Sequence, residues 1–131
     1  MIALKIRTGD SFDIFALEED GECKVLEFLN LISKSRRQCF LKLVNGFDRT
    51  ADTGLMQNEE RFKPLHAGIF EFRVPGEVRI LCFLDGSGIV VLTNGFTTDK
   101  MEAGTRHASE LRDRYLDAKR NGYLTYREDN L

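Results

Sequence analysis

From Ile69 to Phe96 the apolar residues run in three short blocks separated by two turn signals, a pattern that fits an antiparallel meander. Phe70, Phe72 and Val74 share one strand face, so Ile69, Glu71 and Arg73 share the other. Pro75-Gly76 is a turn, residues 78–84 the next strand, Asp85-Gly86-Ser87-Gly88 a second turn and residues 89–96 the third strand. Cations sit inside this apolar frame, at Arg73 and Arg79. A cation on a strand face costs free energy unless it is paired or open to a charged ligand. These strand cations are the first candidates for function.

The flanks complete a small α+β domain. Ile2, Leu4 and Ile6 alternate with their neighbours, Gly9-Asp10 breaks the run, and Phe12, Ile14 and Ala16 alternate again, which predicts two strands. Val25, Phe28, Leu29 and Ile32 follow helical spacing, as do Phe40, Leu43, Val44 and Phe47. These predict a helical hairpin, its second helix capped by Ser33 or Ser35 and ended near Gly46. Residues 48–60 read as an exposed, mobile connection. Met101, Ala108, Leu111, Tyr115 and Ala118 predict a final helix over about 103–119. One domain, residues 1–120, is expected, followed by a loose polar tail, 121–131. The helices are expected on one sheet face, leaving the other partly free to carry the strand cations.

At 131 residues and 42% hydrophobic content the chain can bury a core. No apolar run approaches the roughly 18 residues of a membrane span, and Met1-Ile2-Ala3-Leu4-Lys5 does not open a signal peptide. Cys23, Cys39 and Cys82 form no Cys-x-x-Cys pair and read as buried free thiols, which implies a reducing cytoplasm. The net charge of −2 argues against bulk affinity for nucleic acid. Its distribution is patchy. Residues 1–30 hold three cations and seven acids, whereas residues 31–50 hold five cations and one acid. A local basic surface remains open.

The chemistry on offer is narrow. His, Cys, Asp and Glu do not fall at metal-ligand spacing, and no Gly-rich phosphate loop or nucleophile elbow is present, so neither a metal nor a cofactor is expected. What remains suits cleavage of RNA by its own 2′-hydroxyl. That reaction needs fixed cations for the charge gathering on the phosphate, and proton transfer at the two oxygens. Arg73 is the first candidate, a planar and permanently charged group on a rigid strand; the alternative is an ion pair with Glu71. Arg79 is either catalytic or paired to a carboxylate. Lys63 and Arg61 precede the strand and either contact RNA or are merely solvated. His66 can exchange a proton near pH 7 or be incidental. Lys100 can reach the sheet edge or simply enter the helix. Tyr115 reads as core packing, and Tyr123 and Tyr126 as tail.

The ordered set Lys63-x-Leu65-x-x-Gly68-Ile69-x-Glu71-x-Arg73, then Arg79-Ile80-Leu81, then Asn94-Gly95-Phe96 with Lys100 after it, resembles the RelE/ParE superfamily of toxins, in its phage-derived HigB-like branch. The segment Gly21 to Leu29 is similar to that branch's entry into its first helix, and the resemblance spans residues 12–119. It implies a RelE-like fold and the toxin of a type II toxin–antitoxin pair. It implies a ribosome-dependent mRNA endoribonuclease, neutralised by a helix-turn-helix antitoxin, with no membrane partner. By motif position Arg73 matches the family's strand arginine beside the scissile phosphate. Lys63 matches a basic residue at the entrance to that strand, Arg79 a recurring arginine that is structural as much as catalytic, and Lys100 the basic position after the last strand. The chain departs from the family in its pI of 5.7, in Asp99 within a thinned basic cluster, and in having no His or Tyr at the usual C-terminal acid/base position. Those departures suit a second reading, a fold relative that has lost catalysis and binds proteins. A ParE-like gyrase poison is the third.

Overall fold

A computed structural model describes residues 1–98 and 101–128 of the chain. In chain order the elements are β1 (Ile2–Thr8), β2 (Asp13–Glu18), α1 (Lys24–Ser35), α2 (Arg37–Thr53), β3 (Phe62–Pro64), β4 (Ile69–Val74), β5 (Val78–Asp85), β6 (Ile89–Thr97), α3 (Met101–Arg120) and β7 (Thr125–Glu128). The seven strands form one mixed sheet in the order β3-β4-β5-β6-β2-β1-β7. The expected β4-β5-β6 meander is its antiparallel half, with β3 added at the edge. Strand β2 joins β6 in parallel, so the two N-terminal strands extend the meander.

Both sheet faces are covered, which corrects the expectation of a free face. Helices α1 and α2 pack on the face carrying Ile14, Ala16, Phe72, Ile80, Val90 and Leu92. Helix α3 packs on the other, against Phe15, Leu17, Ile69, Leu81, Phe83 and Val91. Strands buried on both sides read as nearly continuous apolar runs, as Ile80 to Leu84 and Ile89 to Leu92 do.

Three local expectations also change. Helix α2 passes through Gly46 and continues to Thr53, ending at Gly54 with φ +102°. Its extra turns bury Thr50 and Ala51, and the Ala51 carbonyl accepts the backbone N–H groups of Ser11 and Phe12 at 2.8 and 3.0 Å. Gly9 lies so close to Ala51 that a Cβ there would sit 2.2 Å from its carbonyl oxygen, so only glycine fits. Much of the connection expected over 48–60 is thus helix held against the β1–β2 turn. Ser33 and Ser35 do not cap α2. Their hydroxyls donate back to the carbonyls of Asn30 and Leu31 within α1, and the N-cap position of α2 is Arg36.

The tail expected after Asn121 also contains structure. Strand β7 pairs in parallel with β1, and the Tyr126 ring meets Phe15 edge-on at 5.3 Å. All three cysteines are free and buried; burial raises the Cys23 thiol to about 11 and pushes the Cys82 thiol up further. Among the described residues, no helix is long and apolar enough to cross a membrane.

Candidate functional site

The register of β4 and β5 sets the charged cluster. Arg73 lies directly opposite Arg79, and Glu71 is two residues along the same face. Glu71 is fully buried. An ionised carboxylate at such a position requires a partner, and Arg79 supplies it: Nη1 lies 3.0 Å from both Glu71 oxygens. The geometry thus pairs Arg79 with a carboxylate. Arg73 reaches the same carboxylate only at 3.8 Å, and its buried Nε has no hydrogen-bond partner. Glu71 satisfies Arg79 well and Arg73 loosely, and an orphaned buried donor is unusual in a folded chain.

Strand β3 brings up the next cations. Lys63 lies opposite Glu71 in register and is exposed. With Arg73 it lines an open depression completed by Glu59, Glu60 and Pro75. The Arg61 carbonyl accepts the Arg73 backbone N–H at 2.9 Å, and Arg61 borders a closed gap in the packing with Arg73 and Lys42. The fold thus gathers Arg61, Lys63, Arg73 and Arg79 at one end of β4.

His66 is not among them. It sits in the turn entering the opposite end of β4, where its carbonyl accepts the Ile69 N–H at 3.1 Å. Ile69 and Arg73 are four residues apart, roughly 13 Å along a strand. Arg112 fixes that turn by donating to the carbonyl of Ala67, which has a left-handed φ of 53°. Lys100 and the neighbouring Asp99 lie outside the described residues.

The Asn94-Gly95-Phe96 motif positions α3. The Asn94 amide donates to the Gly104 carbonyl at 3.1 Å, and a Cβ on Gly104 would sit 2.3 Å from the Phe96 ring. Phe96 pairs with Arg79 in register, so the first turns of α3 begin beside the cationic end of the sheet. Tyr115 is fully buried at the other end of the helix, its hydroxyl 2.5 Å from Asp85 Oδ2 and 2.9 Å from the Tyr126 hydroxyl.

Sequence reasoning missed Glu59 and Glu60 as neighbours of Arg73, and Lys42 and Arg49 on α2. The available signal was the basic excess of residues 31–50. Ending α2 near Gly46 hid the i, i+7 spacing that puts Lys42 and Arg49 on one side.

Comparison with protein-family models finds no match, and no curated protein matches the chain.

Proposed function

We propose that this chain is the toxin of a type II toxin–antitoxin pair: a RelE-like, HigB-like mRNA endoribonuclease acting on the ribosome in a reducing cytoplasm, and neutralised by a helix-turn-helix antitoxin. The observation that supports this reading is Arg73, a mostly buried guanidinium loosely held by Glu71 and opening with Lys63 on a shared depression. A phosphodiester seated there meets two cations on adjacent strands. The RNA 2′-oxygen forms a bond to phosphorus as the bond to the 5′-oxygen breaks, leaving a 2′,3′-cyclic phosphate and a 5′-hydroxyl. Arg73 and Lys63 stabilise the charge gathering on the phosphate, which makes the reading metal-independent. Glu59 and Glu60 are the described carboxylates lining the depression, and in this reading one of them accepts the 2′-hydroxyl proton while water protonates the leaving oxygen. Arg79 holds Glu71 and acts as a positioning residue.

The same two glutamates favour the second reading, a catalytically silent protein-binding module, because they repel a phosphate approaching Arg73. Induced expression with mapping of mRNA 5′ ends separates the two. The wild-type chain should arrest growth and generate new 5′ ends on translated messages. Arg73→Ala should do neither while keeping a cooperative unfolding transition. Equal toxicity from Arg73→Ala would remove the site assignment, and a folded wild-type chain that causes no arrest would favour the binding module.

A further inference from the structure

We propose that the chain carries a phosphate-backbone track for single-stranded nucleic acid, running from the exposed side of α2 to the Arg73 depression. The choice of RNA as its natural occupant rests on the function proposed above; the track itself rests on geometry. Two open depressions are linked by arginines that flank a closed gap between them. The first lies between α2 and the 54–58 loop and is lined by Arg49 and Arg61. Arg61 also borders the gap, with Lys42 and Arg73, and Arg73 lines the second depression, with Lys63. The first depression has no carboxylate among its lining residues, whereas Glu59 and Glu60 line the second.

Helix α2 carries a short basic row. Lys42, Asn45 and Arg49 stand at i, i+3 and i+7, and Asn45 and Arg49 line the first depression. Of its two acids, Asp48 is turned toward β1, where Arg7 holds it at 2.6 Å, and Asp52 follows Arg49 by three residues, at the end of the same row. Lys42, Arg49, Arg61 and Lys63 make no ion pair among the described residues. A row of unneutralised cations suits a ligand with one negative charge per repeat. The first depression adds side-chain amides from Asn45, Gln57 and Asn58 but no aromatic ring, so it offers phosphate contacts without base stacking. Leu55 and Met56 line the first depression but are partly buried against the core, and no aromatic anchor of the kind a protein partner fills lines it. The track therefore reads backbone charge and not sequence.

The test is fluorescence anisotropy of the purified full chain with labelled oligouridylate and oligothymidylate over a sodium chloride series. The DNA strand lacks the 2′-hydroxyl, so binding is measured apart from cleavage. Both strands should bind with similar, steeply salt-dependent affinity. Lys42→Ala with Arg49→Ala should weaken both several-fold and lower the slope of log affinity against log salt by about 1.4, at about 0.7 for each lost contact. Lys34→Ala with Arg120→Ala, an equal charge change off the track, should leave the slope unchanged. The track is overturned if the wild-type chain does not bind at low salt, if both double variants lose affinity equally, or if polyglutamate displaces the strand as well as unlabelled oligonucleotide does. Binding that depends on Lys42 and Arg49 in a chain that cuts no message would keep the track and remove the nuclease reading. Cleavage in cells by a chain whose binding ignores those residues would do the reverse.

Discussion

Two carboxylate clusters stand at opposite ends of β5, and they are built on different charge balances. At the end where β5 finishes, Asp85 accepts hydrogen bonds from Tyr115 at 2.5 Å and Lys119 at 2.7 Å. One acid meets one cation, and two neutral hydroxyls complete the set through Tyr126. At the end where β5 begins, Glu71 is shared between Arg79, close, and Arg73, distant. The first cluster is closed: it ties α3 to the sheet and to β7. The second keeps a guanidinium with spare capacity beside an open depression. Among the described residues the balanced cluster serves the fold, whereas the one with a loosely held arginine is available to an outside anion.

The largest expected effect comes from removing the buried acid of the unbalanced cluster. Glu71→Ala removes the carboxylate that Arg79, with 12% of its side chain exposed, holds at 3.0 Å. Breaking a buried pair by deleting one partner costs about 3–5 kcal/mol. Urea unfolding should show a loss of this size, and a loss below about 1 kcal/mol would show that Glu71 is not the counter-ion the cluster depends on. Arg73→Ala should cost far less, because its contact with Glu71 is long.

The closed cluster should give a smaller, more local response. Tyr115→Phe keeps the ring packed against Phe83 at 5.2 Å but removes the hydroxyl shared by Asp85 and Tyr126. The loss should be about 1–3 kcal/mol, the cost of leaving buried polar partners unsatisfied. Hydrogen exchange should rise first at residues 125–128, since β7 is exposed throughout and docks through Tyr126. Unchanged exchange there would mean that the pairing of β7 with β1 is independent of the cluster.

This contrast was half legible in the sequence. Strand parity put Glu71 and Arg73 on one face, and the structure keeps them there because the period of a strand is fixed. Which arginine would hold Glu71 depended on cross-strand register, and a turn signal such as Pro75-Gly76 locates the hairpin without ranking its arginines. The closed cluster was invisible. It joins Asp85, Tyr115 and Tyr126, which are 30 and 11 residues apart across the two hydroxyl contacts. Tyr115 looked like packing because an apolar stripe does not reveal where a hydroxyl finds its partner. Composition marked the tail as polar, yet edge-strand pairing is made by backbone groups that composition does not report. The covered second face was missed for a related reason. Ile14 and Ala16 alternate as for a one-sided strand, but Phe15 and Leu17 between them are apolar too and lie under α3.

Acid titration isolates the closed cluster in the smallest of these effects. Burial pushes the Asp85 carboxyl up, but the hydrogen bonds from Lys119 and Tyr115 and the Lys119 charge outweigh it, so the group titrates below its ordinary value. The unfolded chain then takes up the proton first as pH falls. The stabilisation from Asp85 is fully present above the unfolded value near 3.9 and is lost as pH drops through the lower folded value. Urea midpoints of Asp85→Asn should start lower than wild type at neutral pH and fall less steeply below about pH 4. Tyr115→Phe should lie between them, because it removes one of the two donors that hold the carboxylate ionised. Wild-type and Asp85→Asn curves that run parallel below pH 4 would show that the acid limb arises elsewhere, and that charge balance at Asp85 is not what closes this end of the sheet.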